Sequence, residues 1–358
     1  MAITLNPTNS NRVVERTATL NKIPNQWSLT TDLGLFSDKY VSQKTVKVDM
    51  TKYSDRILAH RNWDERNNTI GRDVRQSLLL EIPHTPLDDA IYPQDIDGVV
   101  QTSNEVDLLN LTSVAEVRME KMERMRRAHS LTMEASRMHL ITTGEVLDPK
   151  GVTRQSYGAL NFYTEFGVEQ KSVELKLDAA SNPTESIEEA FQYVQEAAGN
   201  GSIYNTQVAL VSSEMFNAIK GNAYVQDGMK TIINPRSLGM ILDRPTGGMS
   251  LDQRYRTVEF GGITWVDAGR ASYELPDGTR KRYIEAGEGF LMPYGFDDLY
   301  HTYYAPANKF NSVNTKAQGS YWFEYFNDRK DIIEIMTEQN FLNVCLYPQA
   351  VVKLTKAA

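Results

Sequence analysis

The sequence predicts an α+β fold organised around one long helix, and three observations carry that expectation. A helical pattern free of Pro and Gly runs from Thr112 to Thr143. The residues ahead of it are polar and extended, with too few apolar anchors for a core of their own. From about residue 180, strand and helix patterns alternate as in an α/β unit, and four strand-like runs close the chain.

The helix is the spine of the chain. Ser113 and Glu116 form a capping box: the hydroxyl takes a free N–H of the first turn while the carboxylate reaches back. Gly144 can adopt the left-handed conformation that closes a helix. On a helical wheel Leu111, Ala115, Met122, Met133 and Leu140 fall near one line, flanked by Val114, Met119 and Met125. Glu116, Glu120, Glu123, Arg127 and Glu134 lie opposite, so one apolar face and one solvated face are expected. Arg118, Arg126 and His129 interrupt the stripe.

A chain of 358 residues suggests two domains, or one with long excursions. Its 41% hydrophobic and 23% charged content excludes wholesale disorder. The formal charge of −8 argues against tight wrapping of nucleic acid, which needs clustered Lys and Arg, but leaves loose contact with DNA open. No apolar run approaches a membrane span, and the first residues show no basic-then-apolar signal. Cys345 is the only cysteine, so neither an intrachain disulfide nor a thiolate metal site is expected, and a reducing compartment fits.

Along the chain, residues 1–42 read as an arm that docks on something else, with Trp27 as its candidate anchor. KTVKVDM (Lys44–Met50) alternates as a strand and continues toward Leu58; IGRDVRQSLLLEI (Ile70–Ile82) reads as its partner. Together they form a long hairpin with the charged tip NWDERNNT, and isolated hairpins are marginal in water. The expectation is that arm and hairpin lie across a neighbouring surface and are ordered only there. Trp27, Arg56, Arg61, Trp63, Asp64, Glu65, Arg66, Arg72 and Arg75 are the candidate inter-subunit contacts. Pro83, Pro86 and Pro93 then break the chain before the spine helix.

After it, SYGALNFYTEF (Ser156–Phe166) and KSVELKLD (Lys171–Asp178) read as strands. Pro183 opens a helix that stops at Gly199. TQVALVSS from Thr206 is a buried strand, followed by a helix over Ser213–Lys220. VEFGGITWV (Val258–Val266) carries a paired Gly that marks a bulge or hairpin turn, and Pro276-Asp277-Gly278 is a hairpin signal. Phe290–Met292 is a further strand, and YWFEYF, DIIEIMTE, NFLNVCLY and AVVKLT follow.

Catalytic and cofactor motifs are absent: there is no HExxH, GxSxG, GxGxxG after a strand, or GxxxxGK[ST]. His129 and His139 are ten residues apart, about 15 Å along a helix, too far to share one metal. An Asp148–Lys150 pair sits in a turn and reads as surface charge rather than a catalytic pair. Asp267 with Asp297 and Asp298 reads as scattered acid rather than a cation site. The methionines of the spine read as core packing, and Cys345 as a buried inert thiol. No catalytic residue, metal or cofactor is therefore expected.

Several stretches carry a family resemblance. The helix text MRRAHSLTMEA ends in TTGEVLDP at Thr142–Pro149; PTESIEEA stands at Pro183–Ala190 and VALVSSEMFNAI at Val208–Ile219. A DG turn at Asp277-Gly278 precedes EGFLMPYG at Glu288–Gly295, APA at Ala305–Ala307 and NT at Asn314-Thr315, and LNVCLYPQAVVKL closes the chain at Leu342–Leu354. In order and spacing these resemble the lambda-type phage major capsid protein E family, which has the Hong Kong 97-like phage capsid fold. The resemblance implies an N-terminal arm (1–42), an extended loop hairpin (43–85), a peripheral domain (86–179) with the spine helix at 112–143, an axial α/β domain (180–318) and returning strands of the peripheral domain (319–358). It implies a non-enzymatic shell subunit that partners itself in hexamers and pentamers of an icosahedral head around double-stranded DNA. It also implies scaffold, portal and decoration proteins, non-specific DNA contact and no membrane. The location implied is the virion capsid, assembled in the host cytoplasm. Some relatives of this fold join a loop Lys to a neighbour's Asn, but the tip from Arg61 to Ile70 has no Lys, so no covalent crosslink is expected. The alternatives are an encapsulin-like nanocompartment shell around cargo enzymes, and a hydrolase resting only on Asp148 and Lys150.

Overall fold

A computed structural model describes residues 14–15, 17–20, 28–52, 74–95, 106–147, 160–178, 181–199, 204–232, 255–269, 271–296, 299–327 and 329–357. The spine helix is longer than its capping box suggests. It spans Val106–Thr143, 38 residues, so Ser113 and Glu116 lie within it rather than at its start. At 1.5 Å per residue it is about 57 Å long. Gly144 ends it at φ +71°, and a Cβ there would meet the Tyr163 ring at 2.3 Å, so only glycine closes the helix this tightly.

The described strands form five sheets. The largest has six strands in the order Ser172–Leu175, Val352–Lys356, Glu288–Tyr294, Thr206–Val211, Ile263–Asp267 and Thr257–Phe260. Both of its faces are covered. Ala209, Val211, Trp265, Leu291 and Leu354 face the helices Thr184–Ala198 and Ser213–Gly221, which bury Ile187, Val194, Met215 and Phe216 on them. The alternate residues Val208, Leu210, Val266, Phe290 and Met292 face the central core, which also takes Met138, Leu140 and Ile141 of the spine helix. This is the two-sided burial that a continuous apolar run such as VALV implies. Gly261 and Gly262, at φ +65° and +75°, make the two-residue turn between the last two strands, where both positions need positive φ.

A four-stranded sheet orders Val14–Glu15, Tyr321–Asn327, Ile332–Glu338 and Pro86–Ile91; a three-stranded one orders Phe341–Cys345, Tyr300–Tyr304 and Ser37–Tyr40. The hairpin is a separate two-stranded ribbon, Thr45–Lys52 against Val74–Glu81. The Pro-Asp-Gly turn joins a second small pair, Ser272–Glu274 and Arg280–Arg282.

Three expectations are corrected. The stretch before Gly167 is a short helix, Phe162–Phe166, not a strand to Phe166: the Asn161 side chain accepts from the N–H of Tyr163, and Gly167 takes φ +61° at the other end. Of the four closing runs, AVVKLT does not join the other three around the spine. It enters the six-stranded sheet, parallel to Ser172–Leu175 and antiparallel to Glu288–Tyr294. The spine helix does not present one solvated face along its length. Glu134, placed among the solvated residues, is only 4% exposed, and Ala135 to Met138 beside it are buried too. Ala115 and Met119, placed on or beside the apolar line, are exposed.

Candidate functional site

Arm, hairpin and spine helix meet at one place in the fold. Ser28 caps the short helix Leu29–Asp32, and Leu29 and Leu33 enter the central core. The Glu134 carboxylate accepts three bonds from this segment: from Ser28 Oγ, from Thr30 Oγ1, and from the Thr30 N–H at 3.1 Å. One helical turn on, Arg137 donates to Thr31 Oγ1 at 3.1 Å, Asp38 Oδ1 at 3.0 Å and Thr302 Oγ1 at 2.9 Å. Its guanidinium lies 4.8 Å from the centre of the Phe36 ring. Burial lifts the Asp38 carboxyl above its ordinary value, against the pull of Arg137. The segment continues as Ser37–Tyr40, parallel to Tyr300–Tyr304, with Tyr40 stacked on Tyr304 at 5.0 Å.

The ribbon is rooted in the same place. Val46, Val48, Leu80 and Ile82 point into the central core, and Lys44 Nζ donates to Asn308 Oδ1 at 2.9 Å. This corrects the expectation that arm and hairpin lack any support within their own chain. From Ser28 onward, and as far along the ribbon as Val48 and Leu80, the chain supplies its own core. The other face of the ribbon carries Lys47 and Leu79, which are cross-strand partners; Leu79 is 68% exposed.

Trp27, Arg56, Arg61, Trp63, Asp64, Glu65, Arg66 and Arg72 lie outside the described residues. Arg75 lies on the ribbon opposite Thr51, with its side chain outside them as well. Ser28, Thr30 and Arg137 went unnoticed in the sequence, and Glu134 was read as solvated. The available signal was the Ser-Leu-Thr-Thr cap pattern at Ser28–Thr31.

The charged side of the spine helix also holds strands. Arg118 pairs with Glu324 at 2.9 Å, and Trp322 Nε1 donates to the same carboxylate oxygen. Lys121 reaches Asp95 at 3.2 Å and donates to Ala90 O at 2.7 Å. Met122 and Met125 pack on Trp322, Ile335 and Ile91. His129 is buried beside Thr337, whose hydroxyl gives its proton to Leu87 O, so the histidine donates to it from Nε2. Burial, aided by Arg126, pulls its pKa down to about 4.

A cleft of about 520 Å³ beside the clasp is lined by Tyr40, Arg126, Arg137, Tyr304, Lys316 and Gln339 among others. It brings cations and phenols together, with Asp38 already bound to Arg137. Asp267, weighed above as a cation ligand, is taken up by Arg256, Ser213 Oγ at 2.8 Å and the Gly269 N–H at 2.8 Å. Asp148, Lys150, Asp297 and Asp298 lie outside the described residues. Among the described residues no group of three His, Cys, Asp or Glu side chains could hold a metal ion, and no helix is long and apolar enough to cross a membrane. Cys345 is buried, and burial pushes its thiol well above the ordinary range.

Residues 13–356 match the phage major capsid protein E family. The chain belongs to that family. The major capsid protein of Pseudomonas phage KPP10 is 34% identical over 334 residues, covering 92% of this chain and 93% of that one. That of Salmonella phage Felix O1 is 25% identical, covering 95% of each. Among solved structures, a prophage capsid protein of E.coli CFT073 superposes with a TM-score of 0.59 at 14% identity, covering 96% of this chain and 100% of that one. The capsid of cyanophage P-SCSP1u superposes with a TM-score of 0.51 at 10% identity, covering 94% and 90%. The fold is that of the Hong Kong 97-like capsid proteins, and the function is that of a tailed-phage major capsid protein. The encapsulin-like alternative is the weaker one, since the matched family and both curated relatives are phage capsid proteins.

Proposed function

We propose that this major capsid protein forms the hexamers and pentamers of an icosahedral head that encloses double-stranded DNA and is assembled in the host cytoplasm. One observation supports this most directly. A ribbon with no third strand among the described residues leaves the core at Val48 and Leu80, and residues 53–73 continue from its end. A ribbon of two strands is marginal in water alone, so a neighbouring subunit supplies its second surface. On this reading the extended loop is 43–85 and the arm 1–42, leading into the peripheral domain (86–179), the axial domain (180–318) and the returning segment (319–358), whose last strand, Val352–Lys356, joins the six-stranded sheet. Trp27 and the charged residues from Arg56 to Arg75 make the inter-subunit contacts. Scaffold, portal and decoration proteins act on the shell from outside this chain, contact with DNA is non-specific, and the chain catalyses no reaction.

The test is expression of the chain followed by sedimentation and electron microscopy. Closed shells with fivefold and sixfold clusters are expected. A chain that stays monomeric across salt and concentration would contradict the reading, and shells formed around a protein cargo would favour a nanocompartment.

A further inference from the structure

The cleft of about 520 Å³ beside the spine helix carries an excess of positive charge. Arg126, Arg137 and Lys316 line it against one carboxylate, Asp38, which Arg137 already holds at 3.0 Å. Arg126 donates to the Ser320 hydroxyl. Lys316 is exposed, and among the described residues no carboxylate pairs with it. Glu134 is enclosed by Ser28 and Thr30 and is not part of the lining. Three cations against one carboxylate give the lining a charge of +2, in a chain whose formal charge is −8.

The rest of the lining narrows the ligand. Tyr40 stacks on Tyr304 and is 41% exposed, and Tyr304 Oη donates to Met133 Sδ at 3.5 Å, so part of the wall is aromatic and thioether. Gln339 is 4% exposed, and its amide oxygen has no hydrogen-bond partner among the described residues. A buried polar atom without a partner calls for one. A free phosphate brings acceptors and no apolar surface. A nucleic-acid duplex presents its phosphates on a convex surface that does not enter a concave cleft. An acidic peptide brings a carboxylate for the cations, N–H donors for the amide oxygen, and side-chain surface for the Tyr40 ring. Clustered Arg side chains holding an acidic segment are a recurring recognition mode.

We propose that this cleft takes a carboxylate side chain, with its flanking peptide, from a second copy of this chain. The proposal rests on the self-assembly argued above and names the side chains that receive the neighbour. Charge decides the choice of a second copy. Copies of net charge −8 packed in one shell repel one another. A carboxylate receptor on each copy converts part of that repulsion into attraction. Every neighbour brings the surplus it needs, 46 Asp and Glu against 38 Lys and Arg. Partial exclusion of water by the Tyr40–Tyr304 pair makes such a contact stronger than a fully exposed ion pair.

Zero-length carbodiimide coupling tests this, because it joins a Lys amine to a carboxylate only where the two touch. Shells assembled from a mixture of isotope-labelled and unlabelled chains should yield peptides in which Lys316 is joined to an Asp or Glu across the two isotopes. Lys316→Arg should keep the yield of sedimenting shells and lose that crosslink. Lys316→Glu should leave the melting temperature of the unassembled subunit unchanged and lower the shell yield at low ionic strength by about tenfold, since a modest contact repeated at every subunit adds over the shell. Lys316 crosslinks confined to single chains, shells with no Lys316 crosslink, or wild-type yield from Lys316→Glu would overturn the proposal while leaving the capsid function standing. A Lys316 crosslink to a different protein in whole virions would overturn the choice of a second copy. Failure of the wild-type chain to form shells would remove both readings.

Discussion

Glu134→Ala on the spine helix should destabilise the unassembled subunit by about 2–5 kcal/mol, because each buried donor left without an acceptor costs about 1–3 kcal/mol. Glu134 is 4% exposed, Thr30 fully buried and Ser28 5% exposed. The substitution removes three charge-assisted hydrogen bonds, each worth about 1.5–3 kcal/mol. It leaves the Thr30 N–H and hydroxyl buried without their acceptor. Ser28 keeps part of its bonding through Thr31 Oγ1 at 2.9 Å, which limits the total. Glu134→Gln retains an acceptor of the same shape without the charge and should cost less, about 1–2 kcal/mol. Urea unfolding of the dissociated subunit measures both, and hydrogen exchange on a peptide covering 28–40 should show the segment opening in Glu134→Ala. A cost below about 1 kcal/mol, or unchanged protection of 28–40, would refute the claim that this carboxylate clamps the arm to the spine.

Neighbouring ribbon residues should behave oppositely: Leu80→Ala, in the core, should cost about 2–4 kcal/mol, and Leu79→Ala, on the outer face, less than about 0.5 kcal/mol in the unassembled subunit, by the same urea assay. His129 titrates near 4 in the folded chain against 6.5 when free, so the unfolded chain takes up its proton first as pH falls. The stability it contributes is complete above pH 6.5 and is lost as pH drops toward 4, by at most about 3 kcal/mol; His129→Gln should flatten that acid limb, and an unaltered limb would contradict the assignment. Mature particles boiled in denaturing detergent should run as one band near 40.5 kDa, since the hairpin tip carries no Lys; a ladder surviving detergent and reductant would show a covalent link. Cys345 should resist alkylation in the folded subunit and react after unfolding.

What the sequence made legible was local. Thr206–Val211 is a continuous β-branched and apolar run, and the structure uses it as a doubly covered strand. Gly144 and the Gly261-Gly262 pair sit at positive φ as their settings require. The larger failures are long-range. Glu134 falls among acids on a helical wheel, and nothing nearby in sequence says that Ser28 and Thr30, more than a hundred residues earlier, return to bury it. The ribbon seemed to lack a core because Val46, Val48, Leu80 and Ile82 find theirs against residues such as Leu299, Leu342 and Val344. NFYTEF has strand-like aromatics, yet Asn161 and Gly167 cap it at both ends, so capping outweighed composition.

The most direct test of the central claim is a side-chain-resolution cryo-electron microscopy map of particles assembled from this chain. It should show a closed shell of hexamers and pentamers in which Glu134 grips Ser28 and Thr30 of its own chain. The hairpin beyond Lys52 and Val74 should lie on an adjacent subunit. Hairpins folded back onto their own subunits, or a shell lattice built from a different chain, would contradict it.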